Sequence, residues 1–309
     1  MLSAGKIPAR APLRIDTVRR QFDRRAARLQ QHDALLREVE RRLLDKLEPI
    51  KLTPQRIVDV GCGAGHTRAL LRPRFAQAEW IGVDLSAAML TSAAGTAASR
   101  RGGWLRWRRQ EPPWLLQADA GALPLADGCA DLLLSNLMLH WHPQPHALFA
   151  EFKRVLRVGG LLLFSCFGPD TLQELRAAFR TWPRTRPMPF VDMHDFGDML
   201  VASGFADPVL DAERIVLTYP SPAALLREAS ALGGNPRDDR PAVLPPTAAA
   251  RQVLAALAAH PAGDGRYALS FEIAYGHAWK PAPRQPGAVL IPLDRLQKSL
   301  PRRAEPAPP

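Results

Sequence analysis

The sequence predicts an α/β fold, a mostly parallel sheet of seven strands with helices on both faces. Strand-like and helix-like stretches alternate along most of the chain. A glycine-rich turn, Gly61-Cys62-Gly63-Ala64-Gly65, joins the first strand to the helix after it. The length, 309 residues and 34.0 kDa, suits one large domain of this kind with a sizeable core.

The elements follow in order. Leu13–Leu47 is helical, with Val18, Phe22, Ala26 and Leu29, then Leu36, Val39, Leu43 and Leu47, recurring at helical spacing. Asp33 interrupts that stripe, so two helices are expected, ended by Pro49 and Pro54. The first strand is Arg56–Val60, followed by a helix from His66 to Arg72. Strand two is Trp80–Asp84, with a helix over Ser86–Ala98. Strands three and four are Leu115–Ala118 and Asp131–Ser135. A helix over Pro145–Leu156 reaches the turn Val158-Gly159-Gly160, and Leu161–Phe167 is strand five. Helices are expected over Thr171–Phe179 and Asp195–Ser203, the second stopped by Gly204. Pro208–Leu217 is strand six. Pro222–Ala231 and Thr247–His260 are Ala/Leu-rich helices around a loop at Gly233–Pro246, and Tyr267–Ala278 is the last strand. Arg100–Trp114, with Trp104 and Trp107 among five arginines, suggests a surface loop. This divides the chain into an N-terminal helical cap (1–50), a main domain (51–280) with a helical insertion (about 218–265), and a Pro-rich tail (281–309) expected to be disordered.

Composition narrows the function classes. Basic residues number 41 against 30 acidic, a net charge of +11, and only six of the 41 are Lys. Such an excess suits acidic partners, but the 30 prolines also suit a GC-rich genome that writes Arg for Lys. No apolar run approaches the ~18 residues of a membrane span. The N-terminus has no signal-peptide core, and Lys6, Arg10 and Arg14 are only a weak echo of a transit peptide. Cys62, Cys129 and Cys166 are odd in number and far apart, which fits reduced thiols in a cytoplasmic protein.

The chemistry is concentrated at strand ends. Asp59-Val60-Gly61-Cys62-Gly63-Ala64-Gly65 lets the backbone turn sharply and approach a ligand closely. A phosphate-binding loop would need Gly-Lys-Ser/Thr, whereas His66 and Thr67 follow Gly65. A dinucleotide loop wants a small sixth residue, which His66 is not. The remaining reading is an S-adenosylmethionine loop, with Asp59 meeting an ammonium and the loop backbone meeting a carboxylate. Asp84 ends strand two, 21 residues after Gly63, where an acid can accept from both ribose hydroxyls; it also suits a helix cap. Leu85 and Met89 follow it. Asp119 and Ala120 follow strand three, placed for an adenine amino group or a plain turn. Asn136 and Leu137 follow strand four. The cofactor set is therefore Asp59, Gly61, Cys62, Gly63, Gly65, Asp84, Leu85, Met89, Asp119, Ala120, Asn136 and Leu137. His140 and His142 flank Trp141 with no third ligand nearby, a poor metal site, so His140 and Trp141 are expected as pocket wall beside the substrate.

These motifs resemble class I methyltransferases, a Rossmann-like superfamily. Narrower segments resemble the malonyl-acyl-carrier-protein O-methyltransferases of biotin synthesis: Leu148–Arg154, Val158–Leu175, Val191–Val209, Leu217–Leu226 and Phe271–Pro281. Val18–Val39 is similar to the family's leading helices, so the likeness spans about Val18–Pro283. The family pattern has Tyr where this chain has Leu29. The arginine-modifying assembly factors of respiratory complex I share the His-Asp-x-Gly segment and are the alternative. The resemblance implies methyl transfer from S-adenosylmethionine to the free carboxylate of malonyl carrier protein, by a cytoplasmic monomer. A carboxylate with a pKa near ~4 is ionised at pH 7, so no general base is required. Arg176, on the helix after strand five, is the candidate clamp for that carboxylate. The expected partner is an acidic carrier protein, steered by Arg19, Arg20, Arg24 and Arg25 and by Arg180, Arg184 and Arg186. Nucleic acid suits the pI near 10.4 and the Arg/Trp loop. Against it, Asn136-Leu137-Met138-Leu139 stands where base-amine enzymes carry Asn-Pro-Pro-Tyr. An inactive assembly factor is the third reading, opposed by the retained Asp59, Asp84 and Asp119.

Overall fold

In the computed structural model, residues 13–99, 112–180, 188, 190–232, 237 and 247–283 are described. Seven strands form one sheet: β1 (Arg56–Val60), β2 (Glu79–Asp84), β3 (Trp114–Gln117), β4 (Ala130–Ser135), β5 (Leu156–Phe167), β6 (Ala206–Tyr219) and β7 (Tyr267–Trp279). Their order is β3-β2-β1-β4-β5-β7-β6. Pairs from β3 to β5 are parallel, and β7 runs antiparallel to both β5 and β6. Chain order reverses between β1 and β4, and an open sheet of this kind leaves its binding crevice at the carboxyl ends of those strands.

Alternate strand residues feed two cores. On one face Ile57, Leu132, Leu134, Leu161 and Leu163 pack with α2 (Ala34–Asp45), α3 (His66–Leu71), α6 (Gln173–Phe179), α8 (Pro222–Ala231) and α9 (Thr247–Ala258). On the other, Val58, Val60, Leu133, Leu162 and Phe164 pack with α5 (Pro145–Val155) and α7 (Met193–Ala202). Period-two side chains on a sheet covered twice make these strands apolar throughout. α4 (Ala87–Ser99) adds Leu90 to the first core. α1 (Ile15–Gln31) lies against α4, where Ala26 and Leu29 meet Met89.

Local chemistry sets the boundaries. α8 opens on Ser221, whose hydroxyl accepts from Ala224 N at 3.2 Å, with Pro222 at the first position. α7 begins at Met193, two residues before the sequence expectation, because the Asp192 carboxylate caps His194 N at 2.8 Å. α6 begins at Gln173 rather than Thr171, since Leu172 is left-handed with φ 59°. The Val158-Gly159-Gly160 segment is not a free turn. Strand β5 already starts at Leu156, pairing with Ala130, and Gly159 (φ 74°) makes an irregularity while its N–H bonds Lys280 O at 2.8 Å. A 3-10 turn at Leu139–Trp141, unforeseen in the sequence, follows β4. The tryptophans of the Arg/Trp segment before Trp114, most of the Gly233–Pro246 loop, and the tail beyond Pro283 lie outside the described residues.

Candidate functional site

One cavity, about 1270 Å³ including its mouth, opens at the carboxyl ends of β1, β2, β3 and β4 under helices α1 and α2. Its floor is the glycine loop from Gly61 to Ala64; Gly65, expected in the cofactor set, does not line it and sits against Ala93 of α4 instead. Gly61 (φ 78°) stands so close to Met138 that a Cβ would sit 2.5 Å from its Cγ. At Gly63 (φ 52°) a Cβ would meet nothing, so the loop presents bare backbone to the cavity. Val83 O accepts from Gly61 N at 2.8 Å and from Cys62 N at 3.0 Å, which ties the loop to β2.

Acids occupy the strand ends. Asp59 lines the cavity, is 2% exposed, and its Oδ2 has no hydrogen-bond partner. Burial, then the charge of Glu40, pushes its carboxyl well above the usual range. The Asp84 carboxylate accepts from Gly63 N at 3.0 Å and Ser86 N at 2.8 Å. Burial raises it to about 6, and those two N–H groups pull it back. Asp119 accepts from Gly121 N at 2.9 Å, and His142 Nε2 stands 3.3 Å from its Oδ1. Leu85, Met89, Ala120 and Leu137 line the cavity between these acids. Asn136 also lines it while bracing β4: its Nδ2 donates to Leu36 O at 3.1 Å, and its Oδ1 accepts from Ser165 Oγ at 2.6 Å. Burial and the neighbouring acids keep the Cys62 thiol protonated, so this cysteine is wall rather than nucleophile.

The other half of the cavity is apolar. Ile15, Val18, Phe22 and Leu29 from α1 face Met138, Trp141, Phe167 and Leu232. Phe22 closes edge-on upon Trp141, ring centres 5.3 Å apart. Leu29 packs against Met89, so the aliphatic residue fills the space over the cofactor side.

Two expectations about the substrate side change. His140 does not line the cavity. It is 1% exposed and stacks behind the wall, 4.7 Å from the Trp141 ring and 4.8 Å from that of Phe167. Trp141, expected in the wall, does line the cavity, and His142, just past the 3-10 turn, lines it in place of His140. Arg176 does not line the cavity: its guanidinium donates to Pro169 O, in the segment that leads through the left-handed Leu172 into α6. The arginine that lines the described cavity is Arg37 of α2, held by Asp33 at 2.7 Å. Glu40 of α2 was also missed; its signal is an acid set between Leu36 and Leu43 on the helix's apolar stripe.

This constellation fits S-adenosylmethionine. An unpartnered buried carboxylate suits its ammonium, bare loop backbone its carboxylate, and the acids at β2 and β3 its ribose and adenine amine.

Comparison with known proteins agrees. Residues 58–164 match a family model described as a methyltransferase domain. The chain is 43% identical over 269 residues to a malonyl-(acyl-carrier protein) O-methyltransferase of Laribacter hongkongensis, covering 86% of this chain and 90% of that one. It is 41% identical over 266 residues to the protein of that name from Halorhodospira halophila, covering 85% and 86%. Among solved structures it is similar in fold to the YcgJ protein of Bacillus subtilis, with TM-score 0.57, 18% identity and coverage of 79% and 99%. It is also similar to phosphoethanolamine N-methyltransferase 2 of Haemonchus contortus in complex with S-adenosyl-L-methionine, with TM-score 0.54, 18% identity and coverage of 86% and 60%.

Proposed function

Since the chain belongs to the malonyl-(acyl-carrier protein) O-methyltransferase family, we infer that it methylates the free carboxylate of malonate held as a thioester on acyl carrier protein. The relatives' names favour this reading over modification of a protein arginine. The observation that carries it in the structure is a two-sided cavity: acids and bare backbone at one end, apolar side chains at the other.

S-adenosylmethionine, when bound, supplies an electrophilic methyl group on a cationic sulfur. The protein's residues do the remaining work by placement. Asp59 offers its unpartnered oxygen to the ammonium, and Asp84 and Asp119 have acceptor capacity beyond the backbone bonds they already make. The apolar half, closed by Phe22 on Trp141, removes water from the malonyl carboxylate. A carboxylate in water is a weak nucleophile because its hydration must be shed, so desolvation and orientation are the catalytic contributions. His142 stands between Asp119 and Gln144 and serves as a wall with fixed orientation.

No described helix is long and apolar enough to cross a membrane. We take the enzyme to act as a cytoplasmic monomer on an acidic carrier. The three cysteines are free, and Arg19, Arg20 and Arg24 are exposed on α1 at the cavity's cover.

The test is methyl transfer from labelled S-adenosylmethionine. Malonyl carrier protein should be methylated, while succinyl carrier protein and RNA should stay unlabelled. Equal labelling of the succinyl form, or none of the malonyl form, overturns the assignment.

A further inference from the structure

Cap helix α2 sends two side chains of opposite charge into the cavity, one turn apart: Arg37 and Glu40. Glu40 is 6% exposed. An acid this deep is rare unless something repays its lost hydration. One Glu40 oxygen, Oε1, accepts from the Thr67 hydroxyl at the start of α3. Thr67 also stands beside Asp59, but its one proton goes to Glu40, and the Asp59 Oδ2 has no partner at all. Two buried carboxyl groups thus flank one hydroxyl on the same cavity lining, and the charge of Glu40 weighs on Asp59. Left alone, like charges so placed destabilise the fold. Protonation relieves that repulsion in the ligand-free chain, and a cation with several donors would relieve it in the loaded one.

We propose that Glu40 is a second carboxylate acceptor for the cofactor's ammonium group, acting with Asp59, so that cap helix α2 takes part in cofactor binding. An ammonium carries three N–H donors, which two carboxylates and one further acceptor satisfy. Arg37 stands at the same end with its guanidinium held by Asp33 at 2.7 Å. An acid and a base one turn apart on a single helix match the two charges of an α-amino acid. Such a clamp couples the cap to the ligand: α2 contributes to affinity, and the ligand in turn holds α2 against the loop. The proposal rests on the cofactor assignment alone and is independent of which carboxylate receives the methyl group.

A merely structural Glu40 would stitch α2 to α3 through Thr67, and the two roles give opposite results. The experiment is calorimetric titration of the wild-type chain and Glu40→Gln with two probes, S-adenosylhomocysteine and 5′-methylthioadenosine. The second probe keeps adenine, ribose and sulfur but lacks the amino-acid portion. Glu40→Gln should weaken S-adenosylhomocysteine about tenfold or more and leave 5′-methylthioadenosine within about twofold. Its ligand-free melting temperature should not fall, since a neutral amide keeps the Thr67 bond without a buried charge. Equal weakening of both probes, or no weakening of either, overturns the proposal. Should Glu40→Gln fail to fold, Glu40→Asp, one methylene shorter, should show the same selective loss at smaller size. A wild-type chain that binds neither probe would instead overturn the cofactor assignment.

Discussion

Glu40 shows what a single residue position reveals and conceals. Burial pushes its carboxyl up to about 7 from an ordinary 4.5. The groups around it are Arg37 on its own helix, Asp33 just before that helix, His66 and Thr67 on α3, and Asp59 on β1. The folded state binds the Glu40 proton more tightly than the unfolded chain does. Its contribution to stability is therefore present below about pH 4.5 and is lost as pH rises through about 7. Replacing it with Gln removes that titration and leaves its neighbours in place. The stability of Glu40→Gln relative to wild type should then grow between about pH 5 and about pH 8, by up to roughly 3 kcal/mol. Urea unfolding of both ligand-free chains at three pH values measures this, and a pH-independent difference refutes it. The acids at strand ends were legible because the chain itself places them: Asp59, Asp84 and Asp119 each follow or end an apolar run. Glu40 needed the rotation of α2 against the sheet, and only its place in an apolar stripe hinted at it. Arg176 is the opposite case: its place after strand five suggests the crevice, but its guanidinium is taken by the Pro169 carbonyl, a backbone partner that residue types do not announce.

At the scale of elements, the two cap helices are attached differently. α2 is bound to the sheet through Leu35, Val39 and Leu43, each 2% exposed or less, and by Arg42 on Glu213 at 2.5 Å, with Leu47 buried just past its end. α1 lies outside the sheet core, in a small cluster with α4, and is tied down by polar anchors. Asp23 accepts from Ser86 Oγ at 2.6 Å, His32 meets Glu228 at 2.6 Å, and Arg25 donates to Ser230 O at 2.8 Å. Local opening favours the element that buries less of itself in the sheet core, so the expectation is that α1 rather than α2 loosens to admit substrate. Asp23→Ala should loosen α1 from α4. We expect faster proteolytic cleavage within Ile15–Gln31 and a loss of about 1 kcal/mol in global stability. Cleavage at the wild-type rate would show that α1 is held elsewhere. The strand-helix alternation made most elements legible, but the pairing of β5 back to Leu156 was hidden. Gly159-Gly160 signals a turn locally, and only the neighbouring strand converts it into an irregularity within a strand.

The whole molecule carries a formal charge of +11, yet many of its arginines are spent on internal pairs. Arg154 joins Glu151 and Asp127, Arg41 and Arg42 join Glu38, and Arg56 joins Glu79. Arg157 meets Asp131 at 2.5 Å, and Arg214 meets Asp170 at 2.9 Å. The charge that could steer a partner is therefore local. On α1, Arg19, Arg20, Arg24 and Arg28 are exposed beside the residues that roof the cavity, with Arg19 also pairing Asp16 at 3.2 Å, whereas Arg184 and Arg186 lie outside the described residues. An acidic carrier delivering a thioester arm to that roof would meet this face first, and attraction of this kind raises association rates by about ten- to a thousandfold at low salt. Replacing Arg19, Arg20 and Arg24 together with Glu should lower kcat/KM on malonyl carrier protein by about tenfold or more. Activity on malonyl-pantetheine, which carries the arm without the protein, should hold within about twofold. Raising salt should reduce the wild-type rate on the carrier and leave the pantetheine rate nearly unchanged, because screening acts between surface charges and barely reaches a closed cavity. Equal losses on both substrates would mean that α1 acts through the roof it builds rather than through its charge.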